Sequence, residues 1–266
     1  MNTKFARRSR AVMVISGMVL AGYGSAAGSA SASVPVSAVS TKTALVPSHA
    51  TAPECRPPSL AHCYTQATMR AYVDQVIPLV TQFFRAKYPA MPEPTHYYIA
   101  EGQQMKTGCL DRNGKPGIAD SVAYKYCPAN HNIYLGQAAL WHYYNDDGDA
   151  APVVGLAHEW GHHVQDWMGI PEGTTNDASI NHENQADCVA GAWIQYANRQ
   201  KWIEAEDARS VIKFIWEIQS AEGDPNRDHG TVIERGKSMI MGFTGGLSAC
   251  NSFYPATPVY PSSGGS

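Results

Sequence analysis

The sequence predicts an α+β domain, a small β-sheet followed by a helical bundle. Three observations predict it. Short β-prone runs at residues 97–100, 122–126 and 132–135 are grouped in the first half of the chain. Segments of helical character follow from 137 to 243. Hydrophobic residues make up 44% of the 266, enough for one sizeable core.

The N-terminus opens with Lys4, Arg7, Arg8 and Arg10, followed by an apolar stretch over residues 11–21 and small residues through Ala32. This is the pattern of a signal peptide over residues 1–32, with cleavage near Ala27 or Ala32, and it predicts a secreted protein. The apolar run is too short to span a membrane comfortably, so no stable span is expected after its removal. Arg7-Arg8 also admits a twin-arginine route, and the sequence does not choose between export systems. Residues 33–53, rich in Ser, Ala, Val, Thr and Pro, read as a flexible linker or pro-segment. The folded domain is expected over residues 54–253, with a disordered Pro/Ser/Gly-rich tail over 254–266.

Within the domain, Pro57-Pro58-Ser59 precedes a helical pattern over residues 60–87, kinked or broken at Pro78. The three strands follow, with turn chemistry over residues 111–117. Helices are expected over 137–144, 151–168, 181–200, 204–221 and 231–243. Trp141, Tyr143, Tyr144, Trp160, Trp167, Trp193, Trp202 and Trp216 fall mostly on these helices and read as core packing. Residues 132–135 read equally as an interior strand or as an edge strand on which an extended peptide could lie.

A formal net charge of −3 and the lack of a basic stripe argue against a nucleic-acid partner. Six cysteines fit an oxidising compartment. They allow 15 pairings; pairing by proximity gives Cys55 with Cys63 and Cys109 with Cys127, leaving Cys188 with Cys250 unless Cys188 is a buried free thiol.

The chemistry concentrates at His158-Glu159-Trp160-Gly161-His162, an H-E-x-x-H pattern inside an expected helix. Residues four apart lie roughly 40° apart on one helix face, so the two imidazoles can share one metal ion. Glu159 lies roughly 100° round from His158, beside the metal and placed to take a proton from a water. The apolar run Val153-Val154-Gly155-Leu156-Ala157 indicates a buried helix, where such polar groups need partners. A catalytic zinc takes three protein ligands, and Gln165 and Met168 exclude the longer pattern that carries a third histidine on the same stretch. Glu183, on the next helix, is the candidate third ligand; Asp177 and His182 are its rivals, while Asp166 is too close on the same helix. Asp187, one turn after Glu183, is placed to accept a hydrogen bond from a ligating histidine.

These two segments, His158 to Gln165 and Glu183-Asn184-Gln185-Ala186-Asp187-Cys188 onward to Trp193, resemble the bacterial putative neutral zinc metallopeptidase family. Tyr126-Cys127-Pro128-Ala129 with Ile133-Tyr134-Leu135, His229-Gly230-Thr231 with Arg235, and Cys250-Asn251-Ser252-Phe253 carry the same resemblance. It implies a zincin-like metalloendopeptidase holding one zinc ion on His158, His162 and Glu183, with Glu159 as general base and a peptide or protein as substrate. Gly136 departs from the family pattern, which leads one to expect an acidic residue there. His229 is the candidate donor to the oxyanion of the tetrahedral intermediate, or else a helix-capping histidine, and Arg235 a candidate to hold a carboxylate in place. Two other readings compete: an exported zinc-binding or assembly protein without turnover, and a hydrolase of cell-wall peptide amides.

Overall fold

A computed structural model describes residues 55–111, 114–224 and 227–261. The expected signal peptide and linker lie outside the described residues, as do residues 112–113 of the turn and 262–266 of the tail. The domain is α+β, as the sequence predicts.

A single 3-10 turn at Gln66–Thr68 leads into α1 (Met69–Lys87), later than expected; the residues before it include the loop closed by Cys55–Cys63. Met69, Tyr72, Val73, Val76, Val80, Phe83 and Phe84 are buried, and their spacing of three and four gives the helix one apolar face. Pro78 does not interrupt it. The carbonyl it strips of a partner belongs to Asp74, and both residues are exposed, so water can take up the lost bond.

Strands β1 (Thr95–Ile99), β4 (Tyr124–Cys127) and β5 (Asn132–Gly136) form a sheet in the order β1-β5-β4. β5 runs parallel to β1 and antiparallel to β4. The edge-strand reading of residues 132–135 is therefore corrected: this is the central strand. Its Ile133, Tyr134 and Leu135 are all buried, which a strand covered on both sides requires. Gly136 ends β5 where a Cβ would lie 2.3 Å from the Ser121 carbonyl oxygen, so the acidic residue of the family pattern has no room here. A hairpin of β2 (Met105–Leu110) and β3 (Pro116–Ala119), not foreseen beyond its turn, is held to β4 by Cys109–Cys127.

The helical part begins with α2 (Gln137–His142) and a π turn at Tyr143–Asp147. Then α3 (Ala150–Trp167), α4 (Asn176–Arg199), α5 (Asp207–Glu217) and α6 (Val232–Ala249) follow. α4 starts five residues earlier than expected, capped by Thr175, whose hydroxyl accepts the Ala178 N–H at 3.3 Å. α6 starts at a Thr231/Glu234 capping box. α3 is buried on nearly all sides, with Trp160 stacked on Phe84 of α1 at 4.8 Å. α4 and α6 touch backbone to backbone: a Cβ on Gly242 would fall 1.7 Å from the Cys188 carbonyl oxygen. Cys188–Cys250 crosses the same interface, so all six cysteines are paired as proximity suggested.

Residues 254–261 depart from the expected disorder. Val259 is fully buried, its carbonyl accepts the Tyr88 hydroxyl at 3.1 Å, and Tyr260 pairs through its backbone with the Asn251 side chain at 2.6 and 2.9 Å. One buried valine, a tyrosine hydroxyl and one Asn clasp hold a segment whose composition alone suggests no such anchors. Trp167 and Trp216 also depart from the core reading, being 49% and 65% exposed. Among the described residues, no helix is long and apolar enough to cross a membrane.

Candidate metal centre

Two helices packed at a glycine bring the polar residues together. Gly161 of α3 faces Ala186 of α4, and a Cβ at Gly161 would sit 3.0 Å from the Ala186 Cα. That closeness sets Glu183 and Asp187, one turn apart on α4, against His158 and His162, one turn apart on α3. One nitrogen of each histidine and a Glu183 oxygen lie within 4.8 Å of one another, the group of metal-ligating type found among the described residues.

The hydrogen bonds assign each ring. His158 Nδ1 is 2.9 Å from Asp187 Oδ1, a pure acceptor, so Nδ1 carries a proton and Nε2 is the nitrogen turned towards Glu183 and His162. Gln165 donates through Nε2 to the His182 carbonyl at 2.8 Å and to Gln185 Oε1 at 3.0 Å. Its Oε1 is thereby left to accept from His162 Nδ1 at 2.9 Å, and His162 Nε2 also turns towards Glu183 and His158. The two Nε2 atoms stand 3.0 Å apart, with Glu183 oxygens at 3.1 and 3.4 Å. Glu183 Oε2, although 3.1 Å from His158, is a buried oxygen without a hydrogen-bond donor. Two imidazoles and a carboxylate converging in a buried space need positive charge among them, which protons or a metal cation can supply. Two imidazole nitrogens and one carboxylate are a donor set that suits zinc and leaves a fourth position open.

The electrostatics show how strongly the site calls for positive charge. Burial pushes His158 down, but the Asp187 and Glu183 carboxylates override it and lift its pKa to about 10. His162 is raised as well, Glu183 outweighing burial. Glu183 is held well below the usual carboxylate range by His162 and His158 despite its burial. Glu159 moves the other way: burial raises it, partly offset by the two histidines. Its Oε2 accepts the Tyr126 N–H of β4 at 2.6 Å. Asp187 Oδ1 also accepts from Arg235 Nη2 of α6 at 2.9 Å, and this guanidinium is 1% exposed.

The structure thus places Glu159 beside the His158/His162/Glu183 group and Asp187 behind His158. His229 faces the same group, with Nε2 3.4 Å from Glu183 Oε2 and Nδ1 2.8 Å from Asp228 Oδ1. It does not cap α6; Thr231 does. Of the rival ligands, Asp177 lies exposed on the first turn of α4, and His182 stacks on the His162 ring at 5.2 Å instead of joining the group. Asp166 accepts the Tyr126 hydroxyl at 2.7 Å. Sequence reasoning did not foresee the part of Gln165, whose only signal was its position three residues after His162. Nor did it foresee Tyr126, whose backbone contact leaves no trace in a residue pattern.

An open cleft of 640 Å³ exposes this group to solvent, bounded by β4 on one side and by the α3–α4 connection on the other. The comparisons with known proteins cover the same region. Residues 105–253 match the family described as putative neutral zinc metallopeptidase. Uncharacterized protein YpfJ of Escherichia coli (strain K12) is 31% identical over 177 residues, 56% of this chain and 58% of that relative. Uncharacterized protein Rv2575 of Mycobacterium tuberculosis is 28% identical over 231 residues, 74% of this chain and 76% of the relative. The chain therefore spans less than two thirds of the length of its Escherichia coli relative. No solved structure matches it. Since the family match spans more than half of the chain and contains both helices of the candidate metal centre, the chain belongs to the putative neutral zinc metallopeptidase family.

Proposed function

We propose that the chain is an exported zinc-dependent endopeptidase. The observation that carries this reading is the convergence of His158 Nε2, His162 Nε2 and Glu183 with Glu159 beside them in an open cleft. His158, His162 and Glu183 would hold the ion; zinc, when bound, supplies a Lewis acid that polarises a carbonyl and acidifies a water. Glu159 is the proton acceptor, and burial keeps its basicity above that of an exposed glutamate, the direction a general base near neutral pH needs. It then returns the proton to the leaving amine. His229, lining the cleft, is the donor available to a developing oxyanion. Asp187 and Gln165 fix the tautomers of the two ligand histidines.

The substrate lies along β4. Just before β4, the Ala123 carbonyl accepts the Gly136 N–H of β5 at 2.7 Å, whereas within β4 the Tyr126 N–H faces Glu159, so alternate backbone groups along this stretch point away from the sheet and towards the cleft. An extended peptide can add to that edge. Export is supported by the basic-then-apolar N-terminus and by the three disulfides. Residues 1–32 as signal peptide and 33–53 as linker or pro-segment complete the proposal.

The test is peptide-library cleavage read by mass spectrometry, with the zinc-loaded protein beside its Glu159→Gln variant. The expected result is cleavage by the first and a loss of about 10²- to 10⁴-fold in the second, with zinc still bound at one per chain. Equal cleavage by both would refute the role of Glu159. No cleavage by either, with zinc bound, would favour a zinc-binding protein without turnover.

A further inference from the structure

A second recess of 340 Å³ adjoins the cleft and shares His158, Glu159, His229 and Tyr124 with it. Its other walls come from elements that the main cleft does not use. Tyr143 of the π turn stands edge-on to Phe214 of α5 at 5.1 Å and to Tyr124 at 5.6 Å, and Ile218 follows the end of α5. Three aromatic rings therefore line a space that opens directly beside the general base.

Two ionisable side chains from α5 and α6 also line it. Arg235 is 1% exposed, and its charge is already matched by Asp187 at 2.9 Å. Glu217 is different. Its side chain is 45% exposed, and its partner is His142 Nε2 at a loose 3.6 Å. The neighbouring Lys213 ammonium is turned to the Asp146 carbonyl, to which it donates at 2.8 Å. Burial, then the negative charges of Glu159 and Glu217, push the Tyr143 phenol up to about 12, so the ring between these carboxylates stays neutral.

We propose that this recess is a substrate subsite for a lysine or arginine side chain next to the cleaved bond, with Glu217 as its specificity-determining residue. The inference rests on the peptidase reading and names a substrate class for it. Each part of such a side chain finds its match. The methylene stem lies against Tyr143, Phe214 and Ile218; the cation meets ring faces and the Glu217 carboxylate. A purely apolar side chain would fill the same walls but partly desolvate Glu217, leaving it only the 3.6 Å contact with His142. An acidic side chain would face both Glu217 and Glu159.

The test is a set of peptides of one sequence that differ only at a single position flanking the cut, occupied by Lys, Arg, Met, Phe or Glu. They are assayed with the zinc-loaded full chain and with its Glu217→Gln and Glu217→Lys variants, whose folding and zinc content are checked by melting and metal analysis. The quantity read is the ratio of kcat/KM for the Lys and Arg peptides to that for the Met peptide. It should exceed one in the unaltered chain, fall about fivefold or more in Glu217→Gln, and shift towards the Glu peptide in Glu217→Lys. Intact cleavage with an undiminished ratio in Glu217→Gln would overturn the subsite and leave the peptidase reading standing. No cleavage of any peptide by the zinc-loaded chain would overturn the peptidase reading, and the subsite with it.

Discussion

Replacing Asp187 with asparagine removes one negative charge and almost no volume. Asp187 is fully buried, and its Oδ1 receives two hydrogen bonds at 2.9 Å, from His158 and from Arg235. Asparagine can keep its oxygen there, but its amide then stands where Oδ2 now lies, buried and without a partner. The Arg235 guanidinium would be left with Glu183, at 3.9 Å, as its nearest carboxylate. Breaking a buried pair costs about 3–5 kcal/mol, and the retained acceptor puts the expected loss near 3 kcal/mol, read by denaturant unfolding of the zinc-free protein. Independently, the carboxylate behind a ligating histidine is worth about 10- to 100-fold in metal affinity, read by competition titration with a zinc chelator. Adding Arg235→Met should recover most of the stability, because no unpaired buried charge remains, but none of the zinc affinity. A zinc affinity in Asp187→Asn within about twofold of the parent would refute the reasoning that the negative charge of Asp187 strengthens His158 as a ligand.

Three other outcomes are expected. Gly242→Ala drives a Cβ into the Cys188 carbonyl, so α6 must move off α4; a loss of about 1–3 kcal/mol or more should appear as a lower Tm. Replacing Cys188 and Cys250 together with serine opens a crosslink spanning 62 residues and should cost up to about 4 kcal/mol in chemical unfolding, whereas an unchanged midpoint would mean the bond constrains nothing. His96 accepts the Trp160 indole N–H at 3.2 Å, and burial lowers its pKa from 6.5 to about 4. The unfolded chain therefore binds this proton first: stability is complete above about pH 6.5 and declines as pH falls towards 4, by about 3 kcal/mol at most, and His96→Gln should flatten that slope in pH-dependent melts.

Helical residues were legible in the sequence where strand pairings were not. His158 and His162, or Glu183 and Asp187, are related by one helical turn, so their spacing already states that each pair shares a face. The meeting of the two pairs depends on Gly161 against Ala186, a contact between segments that no local spacing announces. β5 looked equally like an edge or an interior strand because its neighbours, β1 and β4, lie on opposite sides of it and are joined through separate loops. The β2–β3 hairpin went unseen beyond its turn because Lys106, Gly108 and Leu110 are exposed while Thr107 is buried, a polar pattern that hides the alternation. Residues 254–261 are held by Tyr88 and Asn251, partners that their own composition does not reveal.

The hydrogen bond from the Tyr126 N–H to Glu159 has a consequence for inhibition. Tyr126 is also held by its phenol, which donates to Asp166 at 2.7 Å, while its one backbone N–H goes to Glu159. An extended ligand pairing with the edge at this residue would compete with Glu159 for one proton. Its measured affinity would be its intrinsic affinity less the free energy of the bond it displaces. A ligand that skips this residue and pairs with the rest of the strand would escape that penalty and leave Glu159 with the hydrogen bond it already makes.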